Sequence, residues 1–322
     1  MSTGIVKTGD KLKASPIRKD KSMDIETVAY EPKPTIKTVA YVPGWIKPGE
    51  LPLLKPTFTW STRDHRKEDR ETVARVREMF GASRKFARLF TYPGGNTKLA
   101  KGEGLPNLGL SLSPGEESEN MTCPSSTREC RKYCLNNSGR YAMPNARISR
   151  LWKTHLLFNF PDTFARVMAL ELYRFARANP DGYALRMNVL SDLPFHRGQF
   201  HRLIEEAGQT KSGIFHRYEY TKVKKYFTDS TRVNFTYSAR GPRLDDLAGE
   251  HIQGILYNGG SVAVVADSLP RETLLYGFDW IDGDEDDRRY LNPGKFVILK
   301  PKGTLPPGSS FVYSFKESPV TI

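Results

Sequence analysis

From residue 184 onward the sequence falls into a rhythm that few folds allow. Short apolar, β-branched or aromatic runs occur at 184–190, 214–220, 233–237, 262–266 and 296–299, mostly separated by helix-like stretches such as 200–207 and 244–257. An earlier run, Leu108, Gly109, Leu110, Ser111, Leu112 and Ser113, reads as a further strand. Strands alternating with helices are joined by crossovers, and crossovers bring neighbouring strands together in parallel. The pattern predicts an α/β fold of repeating β/α units, forming a parallel sheet or a partial barrel. Upstream, residues 66–80 have a charged helical pattern with Gly81 placed as a C-terminal stop. Residues 145–179 read as one or two long helices, interrupted where Pro161 ends one and starts the next.

Most of these strands end in polar residues of a catalytic type. The run at 184–190 leads into Ser191 and Asp192, that at 214–220 into Thr221 and Lys222, and that at 233–237 into Ser238, Ala239 and Arg240. In parallel α/β folds the active site lies at the carboxyl ends of the strands, where loops from many strands converge. Asp192, Lys222 and Arg240 are therefore the candidate catalytic residues, and Ser191, Thr221 and Ser238 the candidate cofactor-binding ones. A lysine such as Lys222 can hold a phosphate as a point charge, or act as a nucleophile where desolvation lowers its pKa. Asp267 and Ser268 after the run at 262–266 read as a helix cap instead.

The loop after the first strand holds all three cysteines of the chain, Cys123, Cys130 and Cys134, with six and then three residues between them. A cluster this tight, with no cysteine elsewhere to pair with, argues against a disulfide framework and for metal ligation in a reducing compartment. Three thiolates holding a [4Fe-4S] cluster leave one iron open to a substrate or cofactor. Zinc is the competing metal and would want a fourth ligand, for which His155, His196 and His201 are available. The spacing alone leaves both metals open. Arg128, Arg131 and Lys132 set positive charge beside the thiols, where it would favour thiolate or offset a cluster's charge.

Charge indicates the partner. A formal net charge of +13 and a pI near 9.5 favour nucleic acid or another polyanion, because neutralising phosphates releases condensed counterions. The first 60 residues carry Lys7, Lys11, Lys13, Arg18, Lys19 and Lys21, then several prolines and little periodicity, which reads as a basic, partly disordered arm before a single α/β domain at 61–322. With no apolar run of about 18 residues and no signal-peptide pattern, the expectation is a cytoplasmic protein with no membrane span. The acidic stretch 282–287 lacks the spacing of a calcium loop and reads as a solvated turn pairing with Arg288 and Arg289.

Two resemblances follow from these residues. The cysteine triplet after a first strand, with Tyr133 immediately before the last cysteine, resembles the loop of radical S-adenosylmethionine enzymes. That resemblance implies an open iron that binds the cofactor's amino and carboxyl groups, with Tyr133 beside it. The spacing departs from that family's three and two intervening residues. Over roughly residues 95–313 the chain is similar to the phage family called gene product 88. The segments that carry this are Asn96-Thr97-Lys98-Leu99, Leu110-Ser111-Leu112-Ser113-Pro114, the cysteine loop, Leu190-Ser191-Asp192, Tyr220-Thr221-Lys222, Tyr237-Ser238 and Lys302-Gly303. It implies a bacteriophage origin and no particular chemistry. The expectation is an iron–sulfur enzyme acting on a nucleotide or nucleic acid. The alternatives are a nucleic-acid-binding protein with a structural metal, and a zinc-containing base-exchanging or hydrolytic barrel enzyme using Asp192.

Overall fold

A computed structural model describes residues 47, 49–82, 88–93, 104–115, 117–228, 233–302 and 309–315. The basic run from Lys7 to Lys21 lies outside them, as do Asn96 to Leu99 and Gly303. All described residues fall in the compact unit Tyr41–Ile322.

The fold is α/β. Among the described residues eight strands form one sheet: β1 (Phe90–Thr91), β2 (Asn107–Leu110), β3 (Tyr183–Arg186), β4 (Phe215–Thr221), β5 (Val233–Ser238), β6 (Ser261–Val265), β7 (Trp280–Asp282) and β8 (Phe296–Leu299). Their spatial order is β1-β2-β3-β4-β5-β6-β8-β7, parallel throughout except for the antiparallel edge pair β1–β2. Six α-helices are described: α1 (Lys67–Met79), α2 (Arg128–Lys132), α3 (Pro144–Asn159), α4 (Pro161–Ala178), α5 (Gly198–Ala207) and α6 (Glu250–Tyr257). Because β2 to β6 are laid down side by side in sequence order, their crossovers, being of one hand, fall on one face of the sheet, and only β7 and β8 exchange places at the far end. The burial pattern agrees. Leu108, Leu110, Tyr183 and Leu185 share a core with Trp152, Leu156, Phe164 and Phe200 of α3, α4 and α5, while Tyr237, Val262, Val264 and Ile298 share another with Ile252, Ile255 and Leu256 of α6.

Pro161 begins α4 as the sequence predicts, and α3 begins one residue before the expected start, at Pro144; at both places the missing N–H costs no hydrogen bond. The helix expected over 244–257 starts only at Glu250. Its first part is held as a turn because the Asp245 carboxylate accepts the Tyr237 hydroxyl at 3.0 Å and the Arg240 N–H at 2.7 Å. Gly241, at φ +106°, sits so close to the Ser310 carbonyl that no side chain fits there. Residues 49–60 lie against the helical layer: Leu54 is buried, Leu51, Phe58 and Trp60 pack on the core, and the Leu54 N–H donates to Gln199. No described helix is long and apolar enough to cross a membrane.

The two faces of the sheet differ. Opposite the helices, alternate positions present Asn107, Arg186, His216, Tyr218, Tyr220, Thr236 and Ser238. The acidic stretch packs here, contrary to the solvated turn expected of it. Asp287 is buried, accepts from Arg186 Nη1 at 2.8 Å and from the Tyr218 hydroxyl at 3.2 Å, and Tyr290 stacks on His216 at 4.4 Å between ring centres. Asp286 does pair with Arg288, but no guanidinium nitrogen of Arg289 has a hydrogen-bond partner.

Candidate functional site at the carboxyl edge of the sheet

The cysteine segment is more ordered than a loop. Thr127 caps α2 by accepting the Cys130 N–H at 3.0 Å, which fixes Cys130 in the helix's first turn. Before it, the Thr122 hydroxyl donates to the Ser113 carbonyl at 2.6 Å and the Thr122 carbonyl accepts the Asp192 N–H at 2.7 Å. These bonds pin the loop's start to the segments that follow β2 and β3. Cys123 Sγ accepts the Gly115 N–H at 3.4 Å and lies 3.5 Å from the Leu190 carbonyl.

Asp192 is buried. Its Oδ2 accepts the Lys222 N–H at 2.9 Å, and Oδ1 has no partner. Burial pushes its pKa up to about 6, against the opposing pull of the Lys222 N–H, the Thr221 hydroxyl and the Lys222 charge. The Lys222 ammonium donates to the Ser238 hydroxyl at 2.8 Å, the Ser238 carbonyl at 2.9 Å and the Ala239 carbonyl at 3.3 Å, and burial lowers its pKa. The loop carrying Asp192 is itself braced. Both oxygens of buried Glu219 accept backbone N–H groups, Met187 at 2.9 Å and Asn188 at 2.8 Å, while Asn188 Oδ1 accepts the Ser191 hydroxyl and the Leu193 N–H.

The structure thus brings Cys123, Asp192, Thr221, Lys222 and Ser238 to one edge. Ser191 is buried with its hydroxyl committed to Asn188. Arg240 directs its guanidinium to Asp245 at 2.8 Å. Tyr133 ends α2 with the Lys132 ammonium 5.2 Å from its ring centre. The histidines have other neighbours: His155 packs on Phe80 and Phe160, His196 on Tyr226 and Phe235, and His201 lies 2.8 Å from Arg217.

The three thiols are free and half-buried. Cys130 is in electrostatic reach of both Cys123 and Cys134 and of Lys222, so the set shares one neighbourhood. Burial pushes the Cys123 thiol up to about 12 and raises that of Cys134. The donor chemistry fits a thiophilic centre. Cys123 and Cys134 each meet a backbone N–H, from Gly115 and Asn136, of the kind that stabilises ligand thiolate, and Arg150 and Lys222 supply opposite charge. Among the described residues no group of three or more histidine, cysteine or acidic side chains is placed to hold a metal ion.

Sequence reading missed Glu219 and Asn188, which hold the Asp192 loop, and the polar face below it. Glu219 sits mid-strand in Phe215–Thr221, and a carboxylate inside a strand flanked by apolar and aromatic residues was the available signal. A family model described as gene product 88 matches residues 85–313, more than half of the chain. No curated protein and no solved structure matches it.

Proposed function

The chain belongs to the gene product 88 family, and we propose that it is a phage-encoded iron–sulfur enzyme acting on a nucleotide or nucleic acid in the host cytoplasm. One observation carries the reading: the cysteine loop, Asp192, Lys222 and Ser238, from four separate points of the chain, are tied together at the carboxyl edge of a parallel sheet. That is where α/β enzymes assemble their sites.

Held by Cys123, Cys130 and Cys134, a [4Fe-4S] cluster would keep one iron free of protein thiolate, the chemistry by which S-adenosylmethionine is bound and reductively cleaved in the enzymes whose loop this one resembles. The chain's own residues supply the rest. Asp192, poised near neutrality with Oδ1 unpartnered, can hold or release a proton there. The Lys222 ammonium, its donors engaged by Ser238 and Ala239, adds positive field that favours a phosphate at the edge. Arg240, engaged by Asp245, contributes to the field of the edge rather than to direct contact. The net charge of +13 supports a polyanionic substrate.

A second reading is favoured by Asp192 itself. A buried carboxyl near neutrality serves a hydrolytic or base-exchanging enzyme equally well, with zinc as a structural ion on the cysteines. Metal and sulfide analysis of protein purified without oxygen separates the two, with the triple variant Cys123→Ala, Cys130→Ala, Cys134→Ala as control. About four irons and four sulfides per chain, absent from the control, are expected. One zinc and no sulfide would overturn the iron–sulfur reading in favour of the zinc one, and a metal-free protein would overturn both.

A further inference from the structure

A cavity of about 720 Å³ lies away from the cysteine edge, between α6, the first half of β5 and the turn after β4. It falls in the size range of small-molecule sites, roughly 300–1,000 Å³. Neither the cysteines nor Asp192 nor Lys222 lines it.

Two of its lining side chains hold polar atoms that nothing in the protein satisfies. Arg289 is 2 % exposed, and Nε, Nη1 and Nη2 all lack a hydrogen-bond partner. The neighbouring carboxylate, Asp286, is held by Arg288 at 2.6 Å. His251 Nε2 is likewise buried without a partner. Buried polar groups are hydrogen-bonded as a rule, and an unpaired buried guanidinium is among the least tolerable exceptions. Lys224 and Lys225 add positive charge to the lining, against one carboxylate, Glu250, among its described residues. The opposite chemistry is present too. Tyr226, Phe227 and Phe235 line the same space, with Phe235 packed 5.7 Å from Tyr226 and 5.8 Å from Phe227 between ring centres.

We propose that this cavity is a second ligand site, which takes a nucleoside phosphate: the phosphate on Arg289 and His251, the base against the Phe227 and Phe235 rings. A guanidinium presents its donors in a fork that matches phosphate oxygens, and a base stacks on aromatic side chains whatever its sequence. A small carboxylic acid would satisfy the cations but leave the aromatic wall unused. The site does not depend on the metal of the cysteine loop, and its failure would leave the metal analysis untouched.

The test is calorimetric titration of the full chain with adenosine 5′-monophosphate, inorganic phosphate and a short 5′-phosphorylated single-stranded oligonucleotide. The wild-type chain is expected to bind the monophosphate at least tenfold more tightly than phosphate. Arg289→Met should weaken that binding at least tenfold without lowering the melting temperature, since it removes an unpaired buried charge of similar length. Phe235→Leu should retain phosphate binding and lose the nucleotide's advantage, which keeps the proposal testable if Arg289→Met fails to fold. Tighter binding of the oligonucleotide than the monophosphate, still dependent on Arg289, would assign the ligand to the end of a nucleic acid, and the reverse order to a free nucleotide. Absence of monophosphate binding at millimolar concentration would overturn the proposal. So would equal binding by wild type and Arg289→Met, as would binding of every polyanion alike regardless of position 289.

Discussion

The helix-facing side of the sheet and the side opposite are built on different principles. The first is assembled from Leu108, Leu110, Tyr183, Leu185, Val262 and Val264 against apolar helix faces. The second carries Asn107, Arg186, Tyr218, Tyr220 and Thr236, closed over by Asp287 and Tyr290. Parallel sheets usually bury apolar surface on both faces. A charged network on one of them contributes little net stability, because removing ions from water offsets most of their attraction. What it supplies is a lattice of polar side chains, two of which, Asn107 Oδ1 and Thr236 Oγ1, remain buried without partners. One face is built from apolar burial, and the other from a buried polar network.

The largest effects test that division directly. Trp152→Ala, on the apolar side, should cost about 3–5 kcal/mol as a large-to-small core change. Asp287→Ala should cost a similar 3–5 kcal/mol, but for the opposite reason, by leaving Arg186 buried and unpaired. The discriminating variant is the double Arg186→Met, Asp287→Leu, in which most of that loss is recovered. Chemical denaturation of all three checks it. A double variant as unstable as Asp287→Ala would mean that the network stabilises the fold outright, and the contrast between the faces would fail.

A smaller, pH-dependent effect belongs to Glu219, on the helix side but bound to the Asp192 loop. Burial pushes its pKa up to about 7, offset in part by Arg217 and the two backbone N–H groups. The folded chain therefore holds this proton where the unfolded chain, near its ordinary value of 4.5, has released it. The group's contribution is fully favourable below the unfolded value and is lost as pH rises from about 4.5 to about 7. Stability should fall across that window by on the order of 2 kcal/mol relative to Glu219→Gln, which cannot titrate. Parallel urea midpoints for the two proteins across the window would show Glu219 to be an ordinary ionised clamp.

Much of the helix side was legible in the sequence and little of the polar side was. Six strand positions and the break at Pro161 follow from local signals, apolar runs and a residue that cannot continue a helix. β1 and β7 span two and three residues, too few to display a period of two. α2 was hidden because its five residues, Arg128–Lys132, bury no side chain and so leave no apolar stripe. The meeting of Asp192 with Lys222 was foreseeable, since both end neighbouring parallel strands. Asp287 was not, because its partner Arg186 lies about a hundred residues away and nothing local distinguishes a buried acid from the exposed ones beside it. Long-range pairing of charges is the part of a fold that composition and periodicity do not carry.

Thr127 offers a test of about 1 kcal/mol, the usual worth of an N-cap. Thr127→Ala releases the Cys130 N–H and should lower stability by that amount while leaving the polar face untouched. Because the cap also sets the orientation of Cys130, metal content should fall with it. Unchanged metal content alongside lowered stability would detach the cap from the cysteine site.

The smallest expected effect on stability is at Asp192. Its carboxyl is destabilised by burial in the ionised form, and its Oδ2 contact to the Lys222 N–H can be kept by an amide oxygen. Asp192→Asn should therefore change unfolding free energy at pH 7.5 by less than about 1 kcal/mol, in either direction, the range of substitutions that remove no essential partner. A residue retained for structure behaves otherwise: loss of its ionised form would cost about 3 kcal/mol or more, as for the partner of a buried pair. The comparison with Asp287 is the useful one, two buried aspartates of the same domain, one bound to a guanidinium and one with an oxygen left open. If both fall apart alike on removal of charge, Asp192 belongs to the scaffold and the carboxyl edge loses its acid–base candidate. If only Asp287 does, the charge of Asp192 is not needed for stability, which is the result the proposed acid–base role requires.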